Sequence, residues 1–314
     1  MLTRRHVRIK VIQSVYSFFM SQNDELESEI SFYKKSISNT FELYYYYFSF
    51  FSVIYKYSIN QLKFLENAQL DVSVQVKNYT KILDNKILVF IVDQYKLKDP
   101  ESEKRLNEWK SEIKYPKILL NQLFDSVFFK KYLLIDSPNL NQQRNLILNF
   151  FMEIIAPSKY LEDYLIDKKL TWQDDLPVVN TFIVRQIRSI KIKKGNNFIF
   201  PNIVKFKDDI SFGEELLKIC LLKNDEIKSE LEGKTPNWDI DRIASVDLII
   251  LKVAIAEILN FESIPTKVTI NEYIEISKDY STPKSNIFIN GVLDKLIKEF
   301  EITNRLNKVG RGLN

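Results

Sequence analysis

The side chains best suited to chemistry in this chain are three arginines crowded at its start, Arg4, Arg5 and Arg8. A guanidinium stays charged at any biological pH and presents a fork of donors that matches a phosphate. Thr3 is placed to N-cap a helix in which Val7, Val11, Val15 and Phe18 recur at helical spacing, and Arg4 and Arg8 prolong that stripe with Arg5 beside them. Cations in a first turn oppose the helix dipole, typically by about 0.3–1 kcal/mol each. No acid stands among the first 23 residues to offset them. Such a cluster is a poor choice for stability alone and suits a polyanion. Other reagents are scarce, with one His (His6) and one Cys (Cys220) in 314 residues. That removes an internal disulfide, a thiolate or imidazole metal site and most triad schemes. No catalytic residue, metal, cofactor or small-molecule substrate is expected, so the chain reads as non-enzymatic.

The elements that must position those arginines read as helices. Only 6 Gly and 9 Pro interrupt the chain, and 45% hydrophobic with 27% charged residues is the balance of a globular protein. Asn23 and Asp24 break the opening pattern, and a long helical region follows to Asn67, including the aromatic run Phe41 to Tyr57, which reads as core. Its most apolar window, Leu43 to Tyr55, is shorter than the ~20 residues that span a bilayer. No signal peptide is evident, so a cytoplasmic location is expected. Residues 72–95 alternate β-branched side chains and could be strand, but the absence of hairpin turns favours helix. Asn139 to Ile155 and Ser158 to Lys169 read as a helix pair, and Lys191 to Lys207, with Gly195-Asn196-Asn197, as a linker. Gly213 to Leu222 and Asp225 to Leu231 follow. Asn237 or Asp239 then caps a helix to Phe261 that is apolar on nearly every side, which marks the centre of a bundle. Thr266 to Lys278 is the next helix, and Ser285 is expected to cap the last one. Gly291 lies inside that helix, where close packing is the expected reason for it. Trp172, Asp175 and Ile183 match Trp238, Asp241 and Ile249 at a constant offset, a weak sign of duplication.

Several of these segments together resemble the NusB family of transcription antitermination factors. Arg4-Arg5-His6-Val7-Arg8 followed by Gln13-Ser14-Val15-Tyr16 is similar to that family's arginine-rich opening helix. Further on, Trp238 and Arg242 precede Val246-Asp247, and Ile250-Leu251-Lys252-Val253-Ala254 leads to Glu257. Ile264-Pro265-Thr266-Lys267-Val268, Ile270-Asn271-Glu272 and Phe288-Ile289-Asn290-Gly291-Val292-Leu293-Asp294 follow in the family's order. Family members are shorter chains, so the stretch between looks like an insertion.

The resemblance implies an all-α fold, a NusB-like helical bundle with a large helical insertion. Its division would be 1–23 plus 208–304 for the bundle, 24–207 for the insertion and 305–314 for a basic tail. It further implies binding of boxA-type single-stranded RNA from ribosomal RNA leaders, together with a ribosomal protein partner (NusE) in the transcription elongation complex. RNA contacts would come from Arg4, Arg5 and Arg8, and from Tyr280, Lys284, Ser285 and Phe288 around the loop before Phe288-Ile289-Asn290-Gly291. His6 stands where the family often has another arginine. Tyr280 and Phe288 could stack on bases or simply pack. The protein-partner surface would lie near Asp247 and Lys252, which interrupt the apolar helix without facing each other. Glu257 reads as a structural acceptor. The alternatives are a relative of RNA methyltransferases, which would need a glycine-rich loop and catalytic cysteines, and a helical scaffold retaining a NusB-like domain.

Overall fold

A computed structural model describes residues 2–21, 25–67, 73–192, 200–201, 203–233 and 243–309. The sequence features at Asn23, Asp24, Gly195 to Asn197, Asn237 to Asp239, Asp241, Arg242 and residues 310–314 lie outside the described residues. The helices are α1 (Arg4–Ser21), α2 (Leu26–Glu66), α3 (Ser73–Leu83), α4 (Lys86–Lys98), α5 (Ser102–Glu108), α6 (Lys114–Asp125), α7 (Val127–Leu133) and α8 (Leu140–Asn149). Then come α9 (Lys159–Lys168), α10 (Trp172–Ser189), α11 (Lys207–Leu222), α12 (Asn224–Leu231), α13 (Ser245–Asn260), α14 (Thr266–Tyr280) and α15 (Ser285–Ile302). No strand occurs among the described residues, so the fold is all-α. The ambiguous stretch after residue 72 forms α3 and α4, with Asn85 Oδ1 accepting from the amides of Ile87 and Leu88 at 3.0 Å to start α4. Asn139 and Gln142 form a reciprocal capping box that fixes the start of α8.

Contacts divide the chain into an internal unit, residues 39–202, and a terminal unit, residues 2–38 with 203–314. The motif-based division falls at 23/24 and 207/208 instead. The first turns of α2 go with the terminal unit because Ile30, Tyr33 and Ile37 are buried there. Tyr33 donates its hydroxyl to the Ile210 carbonyl at 3.0 Å, and Lys34 pairs with Glu214 at 3.0 Å.

The internal unit has its own core, built on the aromatic run of α2. Tyr44, Tyr46, Phe48, Phe50 and Phe51 are buried with Trp109 and Trp172. Each large aromatic removes roughly 150–250 Å² from water, so this cluster supplies much of the unit's stability. The polar edges of the indoles are satisfied: Trp109 Nε1 donates to Ser49 Oγ, and Trp172 Nε1 to the Asn39 carbonyl, both at 2.8 Å. Among the described residues no helix is long and apolar enough to cross a membrane.

In the terminal unit α13 is buried on all sides, from Ile249 through Ile258, and α1, α11, α12, α14 and α15 pack around it. Gly213 on α11 lets the chain close up: a Cβ there would meet Tyr33 Oη at 2.1 Å and Val7 Cγ1 at 2.5 Å. Gly291 is different. A Cβ at that position would meet nothing within 4 Å, which overturns the expectation of close packing.

Candidate nucleic-acid interface

Thr3 caps α1 as the sequence predicts, its Oγ1 accepting from the His6 amide at 3.2 Å. Val7, Val11 and Val15 are fully buried, so the apolar stripe faces the core. The arginines then separate into two kinds. Arg4 and Arg5 keep side-chain exposures of 49% and 44%, whereas the Arg8 side chain keeps 3%. Arg8 follows the buried stripe inward, as its place on the wheel requires.

All three have acidic partners, which corrects the reading of an uncompensated cluster. Arg4 Nε lies 3.1 Å from Asp209, and Arg5 donates from Nε and Nη2 to Glu272 at 2.8 and 2.9 Å. Arg8 donates from Nε and Nη2 to the two oxygens of Glu257, both at 2.7 Å. Thr269 Oγ1 and Tyr273 Oη also donate to Glu257, at 2.8 and 2.9 Å. This buried carboxylate therefore accepts four hydrogen bonds, as its structural reading expects. Burial pulls the Arg8 pKa down, but the bonds and charge of Glu257 more than offset that and hold it above the ordinary value. Hydrogen bonding from Arg5 lowers the Glu272 pKa. None of these partners could be read from spacing, since they come from α11, α13 and α14, more than 200 positions away.

Beside the arginines a cleft of about 520 Å³ is lined by Thr3, Arg4, Arg5, Arg8, the Ser263 to Pro265 loop, Val268 and Glu272. Its loop is held from behind by the C-terminal segment. Lys308 Nζ donates to the Phe261 carbonyl at 2.9 Å, the Val309 amide to the Glu262 carbonyl at 3.0 Å, and Arg305 pairs bidentately with Glu230. The expected basic tail is thus a docked strap as far as Val309, with burial lowering the Lys308 pKa.

The second group of expected RNA contacts stands at the other end of α14 and does not line that cleft. Tyr280 lies about 18 Å along the axis from Val268, at 1.5 Å per residue. Lys284 is exposed and makes no ion pair among the described residues, and Tyr280 and Phe288 are half-buried. Ser285 does not cap α15 with its side chain. It is buried, accepts from Ser281 and donates to Asp247 Oδ2 at 2.7 Å, so it fixes the turn. Asp247 and Lys252 are also mostly buried, at 6% and 7% exposure. Lys252 donates to Asn224 Oδ1 at 2.8 Å and lies 4.3 Å from the Phe19 ring centroid, and burial lowers its pKa. Asp247 and Lys252 thus each have a partner within the fold. His6 is buried as well.

The NusB family model matches residues 188–298, which takes in α11 to α14 and most of α15. Among curated relatives, the "Transcription antitermination protein NusB" of Salinibacter ruber is 44% identical over 102 residues, 32% of this chain and 64% of that protein. The protein of the same name from Chloroherpeton thalassium is 37% identical over 141 residues, 44% of this chain and 64% of the relative. That from Finegoldia magna is 44% identical over 95 residues, 30% of this chain and 69% of the relative. No solved structure matches. The chain belongs to the NusB family. The matched stretch spans just under two thirds of the first two relatives' length, 64% in each case.

Proposed function

We propose that this chain is a non-catalytic, RNA-binding transcription antitermination factor. It takes boxA-type single-stranded RNA from ribosomal RNA leaders on its terminal unit, with a NusE-type ribosomal protein as partner. The observation that carries the reading is the exposed pair Arg4 and Arg5 at the mouth of the cleft. Exposed arginines held in place by carboxylates are pre-oriented, and a phosphate can exchange for the carboxylate without reordering the side chain. Lys284, with Tyr280 and Phe288 beside it, supplies the cation and rings that splayed bases need. Arg8 and Ser285 sit behind this surface and hold it. Asp247 and Lys252 shape the neighbouring protein-partner face from within the bundle. The methyltransferase-related alternative gains no support, because Cys220 is the chain's only thiol and burial pushes its pKa up.

The test is a salt titration of a boxA-like RNA against wild type and Arg4→Ala/Arg5→Ala. Each lost phosphate contact should flatten the log–log salt dependence by about 0.7, so the pair should remove about 1.4. An unchanged slope would take this helix end out of the site. A pulldown on the purified ribosomal protein, with and without the RNA, tests the partner.

A further inference from the structure

The internal unit holds a cleft that the RNA-binding reading does not use. Val53, Lys56, Tyr57 and Asn60 of α2 line one wall. Leu106 of α5, Trp109 and Lys110 in the 3-10 turn that follows it, and Ile113 line the other. Within each set the residues stand three, four and seven positions apart, so each wall is one face of helical chain. The cleft encloses about 200 Å³. That is below the ~300–1,000 Å³ of sites that take a whole drug-sized molecule. It is a little more than the ~150 Å³ that accommodates a benzene ring. The space suits one large apolar side chain.

Its floor is apolar and rigid. Trp109 spends its Nε1 proton on Ser49 and is wedged against Tyr46 and Phe50, with ring centroids 4.7 and 4.8 Å away. The Tyr57 hydroxyl is hydrogen-bonded to that of Tyr79. At the rim Ile113 is exposed, and so is Phe64, which continues the α2 face one turn beyond Asn60. Apolar surface rimmed by polar groups is the mark of an interaction site. The rim is cationic: Lys56 and Lys110 are exposed, make no ion pair among the described residues, and have no acid beside them in the lining. The acids nearest Lys110 in sequence, Glu108 and Glu112, are held by Lys168 at 2.6 Å and Lys114 at 3.5 Å. Around Lys56 no acid stands between Glu42 and Glu66.

We propose that this cleft is the docking site of a protein partner, which inserts one aromatic or branched apolar side chain flanked by Asp or Glu. An apolar anchor that fills a desolvated pocket supplies the affinity. Acids meeting Lys56 and Lys110 supply orientation and speed the encounter. A nucleic acid fits less well, because Trp109 and Tyr57 are buried and offer no open ring face for a base to stack on. The site lies wholly within the internal unit and does not depend on the RNA-binding reading.

The experiment pans random peptides displayed on phage against the immobilised full chain. The enriched sequences should share one Phe, Trp, Leu or Ile with Asp or Glu close on both sides. The consensus peptide is then titrated by fluorescence polarisation. Leu106→Trp, which fills the cleft, should abolish binding. Lys56→Ala/Lys110→Ala should weaken it by roughly 2- to 30-fold, the worth of two exposed ion pairs, and flatten its salt dependence. The lysine pair lies on the surface, so its circular dichroism melt should match wild type and keep the test sound if Leu106→Trp folds poorly. No enrichment overturns the proposal, as does a consensus without acids or a peptide indifferent to the lysine pair. A dimer in sedimentation that Leu106→Trp dissociates would make a second copy the occupant and overturn it too. So would a saturable thermal shift with 1-naphthoate in the absence of any peptide binding, which would make the site one for a small aromatic acid.

Discussion

Replacing Arg8 with Ala should be far more damaging to the fold than replacing Arg4 or Arg5. The Arg8 guanidinium is buried and donates both of its hydrogen bonds to Glu257, which has no exposed surface. Without Arg8 the carboxylate keeps only the hydroxyls of Thr269 and Tyr273. Removing one partner of a buried pair costs about 3–5 kcal/mol, because the other charge is left uncompensated. In a domain of this size that is a drop in melting temperature of roughly 6–20 °C. Exposed pairs such as Arg4–Asp209 and Arg5–Glu272 contribute about 0–1 kcal/mol, so their Ala variants should melt close to wild type. Arg8→Met/Glu257→Gln, which removes both charges and keeps an acceptor, should recover most of the loss. Thermal melting by circular dichroism reads the global effect, and hydrogen exchange at α13 amides isolates the terminal unit. An Arg8→Ala protein that melts with wild type would refute the reasoning.

Gly213→Ala should destabilise by about 1–3 kcal/mol in a urea melt, since its Cβ would overlap Tyr33 and Val7. Gly291→Ala should instead stabilise by about 0.5–1 kcal/mol, because its Cβ meets open space on a helix. Glu272 has its pKa lowered by Arg5, so its contribution is complete above the unfolded carboxylate pKa and fades as pH falls through the lower folded value; Glu272→Gln should flatten the acid limb of the stability profile. Cys220 is buried with its thiol pKa raised, so a thiol reagent should react with it only after denaturant is added.

The helices were legible because their signals are local. Thr3 caps where the sequence places it, Asn139 and Ser158 stand at the starts of the helices read from them, and the aromatic run of α2 is core because so many apolar rings in one helix have nowhere else to go. The candidate site was legible by motif and charge, but the state of its side chains was not. Spacing along a chain says which residues share a helix face; it cannot say which carboxylate from another helix will arrive there. The three arginines therefore looked unpaired although Asp209, Glu272 and Glu257 meet them. Ser285 shows the same limit, because its hydroxyl is drawn to Asp247 on another helix and away from its own backbone.

What spacing does reveal is why α13, apolar all round, keeps three charged residues. Asp247, Lys252 and Glu257 stand five apart. At 3.6 residues per turn each step of five rotates about 140° round the axis. The three side chains must therefore point in three directions, and no single partner could cover them. Each finds a different neighbour: Asp247 meets Ser285 at the start of α15, Lys252 meets Asn224 at the start of α12, and Glu257 meets Arg8 on α1. A helix buried on every side can rotate or slide among apolar neighbours at little cost, since apolar contacts are not directional. Three polar contacts at three azimuths forbid both movements, because any slip would leave a buried group without its partner. The charged residues of the central helix thus set the register of the helices that carry the arginine cleft and the Lys284 turn.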